Sequence, residues 1–418
     1  MAKTKGRGLL NRIAANILRG RLKSIVGGKI TFVEDGQHRV FGTSDGLEAE
    51  IRVHNPNFYR KSLLGGGVGF AEAFIHGWWS TDDLTALLRI FVRDINLSNE
   101  FEKGFALLAR KLLGLYHWRN KNTRTGSRQN IFEHYDLGND FFSLFLDETL
   151  TYSCGIFNTP ETSLKEASIA KLERMCEMVS IEKNDHVLEI GCGWGSFAIH
   201  AAEKYGCRVS ATTISKEQYN LARERVRRRG LDDRVKILFK DYRELEGTYD
   251  KLVSIEMIEA VGHDFLGDFF TKCESLLAED GAMALQGITM SEDFYEEYLR
   301  SADFIQRYIF PGSCCPALSA IKNAATAATD LELARTENIG SHYATTLREW
   351  GIRFSENIEK IRSMGYSEEF IRTWLYYFSY CEAGFAEDYL GNVQMVLQKP
   401  LFGKSPAQEY ARKELSKA

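Results

Sequence analysis

The pattern of apolar and polar positions changes character twice along the chain. Near the amino terminus, Leu9, Leu10, Ile13, Ile17 and Leu18 recur at helical spacing, with Arg7, Arg12, Arg19 and Arg21 between them. That spacing predicts a short basic amphipathic helix of the kind that lies on anionic lipid. From Ile30 to Val53 the period shortens to two. ITFVED, HRVFG and LEAEIRVHN read as strands, separated by turn signals at Asp35-Gly36 and Asp45-Gly46. Residues 63–94 return to a helical pattern after a glycine-rich turn at Gly65, Gly66, Gly67 and Gly69. Together these predict a small α+β domain over residues 1–117. The polar, basic stretch WRNKNTRTGSRQN at 118–130 has linker composition.

Beyond it, over residues 131–418, strand and helix patterns alternate. HVLEI (186–190), CRVSATT (207–213), VKILF (235–239), KLVSI (251–255) and AMALQ (282–286) predict five strands with helical segments between them. Such an order predicts a doubly wound, Rossmann-like α/β sheet. The segment 292–385 reads as mostly helical insertion, and NVQMVLQ (392–398) as a last strand returning to the sheet.

Composition narrows the class. With 44% apolar and 26% charged positions in 418 residues, disordered, collagen-like and coiled-coil chains are excluded. The most apolar stretch, 62–79, is broken by Glu72 and His76, so no membrane span is expected. The net charge of −4 hides an asymmetry. Residues 1–128 hold 21 Lys and Arg against 11 Asp and Glu, a net of +10; the remainder holds 32 against 46, a net of −14. A basic front part points to an anionic partner, nucleic acid or membrane. Basic charges without interleaved aromatics argue against nucleic acid. Eight cysteines without a CxxC pair argue against a zinc or redox site and for reduced thiols. With no secretory signal read at the amino terminus, a cytoplasmic location is expected.

The loop EIGCGWGSF (189–197) follows a strand and opens a helix. Gly191, Gly193 and Gly195 permit a tight turn and close approach to a ligand. The sixth position of a dinucleotide fingerprint is Ser196 rather than Gly, and SATTISKEQ offers no acid for a ribose before Glu217. A nicotinamide cofactor is therefore disfavoured. The loop, with Glu189 before it, resembles the S-adenosylmethionine (SAM) loop of class I methyltransferases. Ser215 and Gln218 form an S-x-x-Q capping box for the next helix, and Gln218 can also reach a ribose hydroxyl. Asp241 and Tyr242 follow the third strand, where an acid and a ring can hold adenine. The run RERVRRRG (223–230) reads as a solvated helix face.

HYDLGNDFF (134–142), LTYSCGIF (150–157), VLEIGCGWGSFA (187–198), TTISKEQ (212–218), IEMIEAVG (255–262), YIFPGSCCP (308–316) and YYFSYCEAGF (376–385) together resemble cyclopropane-fatty-acyl-phospholipid synthases, most of all the plant-type branch. The resemblance covers about 120 to 398 and, more loosely, the amino-terminal domain. It implies a class I SAM-dependent methyltransferase domain that adds the SAM methyl carbon to a cis double bond of phospholipid acyl chains. The resulting carbocation would lose a proton to a bound bicarbonate ion. Carried over, the bicarbonate cradle is Cys154, Glu259, the Ile288 backbone and Tyr343, with Gln286 where many bacterial members have His. Likewise Ala260 stands where a His is frequent, and His263 is offset from that position. Tyr152 and Ser153 fall at the carboxylate end of SAM, Thr213 in the SAM-binding segment before Gln218, and Cys381 in a motif sometimes assigned as catalytic, though a structural role is expected for it. The resemblance also implies peripheral contact with the inner face of the membrane through the basic amino-terminal segment, and a homodimer. A fatty-acyl C-methyltransferase that leaves a methyl branch, or methylates a furan fatty acid, without ring closure is the competing reading of the same fold.

Overall fold

A computed structural model describes residues 8–43, 46–94 and 137–403. The 118–130 linker, Arg7 and the start of HYDLGNDFF lie outside them. Two compact units emerge, and both are discontinuous in sequence.

The first unit comprises Met1–Asn120, Glu296–Pro311 and Ala344–Leu390. Helix α1 (Leu9–Leu22) leads into β1 (Lys29–Glu34), β2 (Gln37–Gly42) and β3 (Glu48–Val53), followed by α2 (Asn57–Ile75), β4 (Trp79–Ser80) and α3 (Leu84–Arg93). The strands form a sheet in the order β2-β1-β3-β4, with β1 parallel to β3. Its core is aromatic: Phe32, Phe58, Tyr59, Phe70 and Trp79 lie ring against ring. The glycine-rich stretch is not a turn before a helix. It lies inside α2, which starts at Asn57 and bends at Gly66, where φ 56° and ψ −142° are open to glycine. The face of α1 is also divided differently from the expectation. Ala14, Ala15, Leu18 and Leu22 are buried, whereas Leu9 (73% exposed), Leu10 (65%), Ile13 and Ile17 face outward.

The second unit comprises Lys121–Tyr295, Gly312–Tyr343 and Gly391–Ala418. Among its elements are α4 (Leu164–Met178), β5 (His186–Ile190), α5 (Ser196–Tyr205), β6 (Arg208–Thr213), α6 (Lys216–Arg228), β7 (Val235–Phe239), β8 (Tyr249–Ile255), α7 (Leu266–Leu276), β9 (Leu277–Met290), β10 (Glu332–Asn338) and β11 (Leu390–Gln398). The seven strands run in the order β10-β11-β9-β8-β5-β6-β7. β5 pairs in parallel with both β6 and β8, so the strand order reverses at β5. In open α/β sheets ligands bind beyond the carboxyl ends of the strands at such a switch point. Alternate residues feed opposite faces. Val187, Val209 and Val253 belong to one buried cluster, and Leu188, Ile190, Leu252 and Leu285 to the other.

The strand β11 returns as expected, but β10 lies in a stretch read as helical. Its sequence ELARTEN is polar and its residues are exposed or half-buried, so an edge position supplies no alternation to read.

Candidate active site

At the end of β5, Gly191, Gly193 and Gly195 all take left-handed φ values of 84°, 51° and 82°. Their loop is pinned to β6 through the Gly191 and Cys192 amides, which donate to the Thr212 carbonyl at 3.0 and 2.9 Å. A side chain at Gly191 would collide with Met257, 2.8 Å from its Cβ, whereas nothing approaches a Cβ at Gly193. The loop therefore abuts the turn after β8 and leaves open space over Gly193. Before it stands Glu189, buried, with Oε2 lacking any hydrogen-bond partner. Burial pushes its carboxyl up to about 8, partly offset by the Lys171 charge. An unsatisfied buried carboxylate oxygen beside an open glycine cradle fits the methionine end of SAM.

Ser153 accepts a 2.8 Å hydrogen bond from the Lys171 ammonium, and Tyr152 packs against Phe142 and Phe145. Lys171 is fully buried; desolvation lowers it to about 8 against the opposing pull of Glu256, Cys154, Glu189 and Asp147. Its role was readable in α4, where Lys171 falls on the stripe of Leu164, Ala167, Leu172 and Met175.

Toward the β6 and β7 ends, the capping box is one-sided. Ser215 Oγ accepts from the Gln218 amide at 3.3 Å, but the Gln218 side chain turns to Thr213, whose hydroxyl donates to Oε1 at 2.8 Å. That leaves the Gln218 NH2 for a ribose oxygen. Asp241 is buried and bidentate to the Arg243 guanidinium at 2.8 Å for each contact. Tyr242 stands edge-on to Phe269, its hydroxyl raised to about 12 by burial. The run 223–230 is not wholly solvated. Arg225 donates to the Trp194 carbonyl at 2.6 Å and to the Thr149 carbonyl at 2.7 Å, bracing the glycine loop. Burial lowers it to about 10.

The residues expected to cradle bicarbonate do come together, but around a side chain the sequence reading passed over. Glu256 Oε1 accepts from the Cys154 amide (3.0 Å), Gln286 Nε2 (2.9 Å) and Asn392 Nδ2 (2.7 Å). Its Oε2 accepts from the Tyr343 hydroxyl at 2.6 Å. Gln286 is fixed from behind by Gln394, which donates to its Oε1 at 2.9 Å. Glu256 itself takes φ 50°, left-handed for a non-glycine residue. Ile288 differs from the rest: its amide donates to Glu259 Oε1. Glu259 Oε2 is buried without a partner, and burial together with the Glu256 charge pushes this carboxyl up to about 8. The Cys154 thiol is turned to the Gly155 and Ile339 carbonyls, so that residue contributes its amide rather than its sulfur. Cys381 belongs to the first unit, on the helix Glu368–Ala386. Burial and the Asp303 charge raise its thiol well out of the reactive range.

Glu256 carries the signal EMIE, two acids three apart after a strand, of which the sequence reading took only the second. Asn392 offered no motif of its own.

Residues 122–395 match the protein family described as mycolic acid cyclopropane synthetase. The tuberculostearic acid methyltransferase UfaA1 of Mycobacterium tuberculosis is 36% identical over 375 residues, spanning 85% of this chain and 84% of that protein. The cyclopropane-fatty-acyl-phospholipid synthase of Escherichia coli is 35% identical over 339 residues, spanning 81% of this chain and 84% of that protein. Among solved structures, the mycolic acid cyclopropane synthase CmaA1 complexed with S-adenosylhomocysteine (SAH) and CTAB is similar at a TM-score of 0.62 and 31% identity, over 65% of this chain and 98% of that one.

Proposed function

We propose a function on one premise: this chain belongs to the mycolic acid cyclopropane synthetase family of SAM-dependent methyltransferases. It transfers a methyl carbon to a cis double bond of a phospholipid acyl chain and closes a cyclopropane ring. SAM, when bound, supplies that carbon in electrophilic form. The observation that carries the reading is the abutment of two features at the switch point, the open glycine cradle and the Glu256/Glu259 carboxylate pair, with Gly191 against Met257. An alkene is a weak nucleophile, so the chain's part is to hold it against the methyl group and keep water from the cation that follows.

In this reading Glu189 and the three glycines receive the methionine end, and Tyr152 and Ser153, with Lys171 behind, its carboxylate. The Gln218 NH2, oriented by Thr213, meets the ribose, and Asp241 with Tyr242 meets adenine. The Cys154 amide, Gln286 and Tyr343 are engaged with Glu256, and the Ile288 amide with Glu259. That arrangement does not fit a separate bicarbonate ion.

The exposed Leu9, Leu10, Ile13 and Ile17 of α1, beside exposed Arg12 and Lys23, suit insertion into an anionic bilayer surface. Arg19 is committed instead to Glu34 and Tyr59. A cavity of about 300 Å³ in the same unit, lined by Asn57, Arg60, Lys61, Leu64, Gly65 and Trp78, suits an anionic head group. No helix among the described residues is long and apolar enough to cross a membrane. Replacing Leu9, Leu10 and Ile13 by serine should weaken sedimentation with anionic vesicles severalfold and leave SAH affinity unchanged; equal loss of both would make α1 a folding element.

The second reading, methylation without ring closure, is favoured by the similarity to a protein named as a tuberculostearic acid methyltransferase. Mass spectrometry of lipids from an expressing strain separates the two. Gain of one CH2 with loss of the double bond supports the ring, and the same gain with retained unsaturation supports the methyl or methylene product.

A further inference from the structure

We propose that Glu256 is the base of this reaction, a built-in carboxylate occupying the position that a free bicarbonate ion would otherwise fill; the proposal rests on the acyl-chain reading above. A carboxylate and a bicarbonate ion present the same planar O–C–O⁻ group to hydrogen-bond donors. Four donors from separate parts of the chain, at 154, 286, 343 and 392, converge on the Glu256 carboxylate at 2.6 to 3.0 Å. Residues so far apart in sequence are brought to one anion only by the tertiary fold, and here that anion is covalently attached.

The distribution of donors selects the reactive atom. A carboxylate offers about four lone-pair sites on its two oxygens. Among the described residues, Oε1 accepts three hydrogen bonds and is filled, whereas Oε2 accepts only the Tyr343 hydroxyl. Oε2 therefore keeps a lone pair for a proton. The backbone agrees, since φ 50° at a glutamate is a conformation kept only where surrounding contacts fix it. Neighbouring Glu259 is pushed up to about 8 by burial and by the Glu256 charge, which favours its neutral form near neutral pH.

In the step itself, the π pair of the alkene forms the new C–CH3 bond while the C–S bond of the sulfonium breaks, its pair passing to sulfur. The adjacent carbon becomes a cation. Glu256 Oε2 takes a proton from the new methyl group, and the released C–H pair closes the ring. After a hydride shift, loss of a proton from the same methyl group, its C–H pair forming the new π bond, gives a methylene branch on the chain. A proton beside a carbocation is far more acidic than any carboxylic acid, so the base needs position more than strength. Four hydrogen bonds fix the place of Glu256.

The test uses the full chain, SAM and vesicles of cis-unsaturated phospholipid in buffer freed of carbon dioxide. Wild-type turnover should not change on adding bicarbonate. E256Q should lose about 10²–10⁴-fold in turnover with SAH affinity retained. E256G relieves the left-handed backbone and empties the space, and should regain turnover on adding bicarbonate or formate. Carbon-13 NMR of labelled bicarbonate should show binding to E256G and none to wild type. Bicarbonate-dependent wild-type turnover, bicarbonate binding to the wild type that is lost in Y343F, or wild-type rates in E256Q would each overturn the proposal. Failure of the wild type on every cis-unsaturated lipid would overturn the acyl-chain reading alone, because the NMR comparison still decides what fills the anion position. Should both variants misfold, the wild type's response to bicarbonate and its carbon-13 spectrum decide alone.

Discussion

The glycine loop after β5 and the acidic turn after β8 are adjacent, yet they are finished to different degrees. The loop is built around space: three left-handed glycines, nothing over Gly193, and a Glu189 oxygen with no partner. The turn is built around Glu256, which meets four donors without outside help. Unsatisfied buried groups mark where a ligand enters, and a carboxylate already held by protein donors marks where the protein supplies the group itself. Between them Glu259 is mixed, with one oxygen bonded and one bare.

Four experiments press on that contrast. The largest effect is expected from E256Q, which should reduce turnover by about 10²–10⁴-fold while SAH still binds by calorimetry. Loss of SAH binding would mean that the turn is part of the cofactor cradle. Gly191→Val is the converse: a left-handed backbone and a collision with Met257 should weaken SAH by about tenfold to a hundredfold. Tyr343→Phe removes the donor that the described residues place on Glu256 Oε2. Turnover should fall about tenfold, the scale of a hydrogen bond to a charged group, with SAH affinity unmoved.

The smallest effect is on stability against pH. Glu189 and Glu259 have folded values near 8, above their ordinary 4.5. The folded chain thus holds protons that the unfolded chain releases, and stability falls as pH rises from about 4.5 to 8. Lys171 runs the other way. Lowered from 10.5 to about 8, it costs stability fully below 8 and returns it between 8 and 10.5. Melting temperatures of the unliganded protein should pass through a shallow minimum near pH 8, shallower still in E189Q. A flat profile for the wild type would show these groups to be solvated.

Much of the second unit was legible because its physics is local. The strands are apolar on both faces, and the glycine loop has a strand before it and a helix after it. The sites of Glu189, Gln218, Asp241 and Glu259 follow from that frame. What escaped depends on distant partners. Glu256 and Glu259 look alike in EMIE, and the donors that arrive at Glu256 from 154, 286, 343 and 392 make them different. Arg225 sits in a run of arginines, and nothing local marks it as the one that braces the loop. β10 is a polar edge strand with no core face to impose a period. Lys171 was the exception, a charge on an apolar stripe that could have been read as buried.

The tethering of the Glu256 carboxylate has a physiological corollary. An ion drawn from solution is supplied in proportion to dissolved carbon dioxide and to the fraction ionised at the prevailing pH. A side chain is present at an effective concentration set by covalent geometry. Methyl transfer by this enzyme would then keep pace with its methyl donor and its substrate, and be independent of dissolved carbon dioxide.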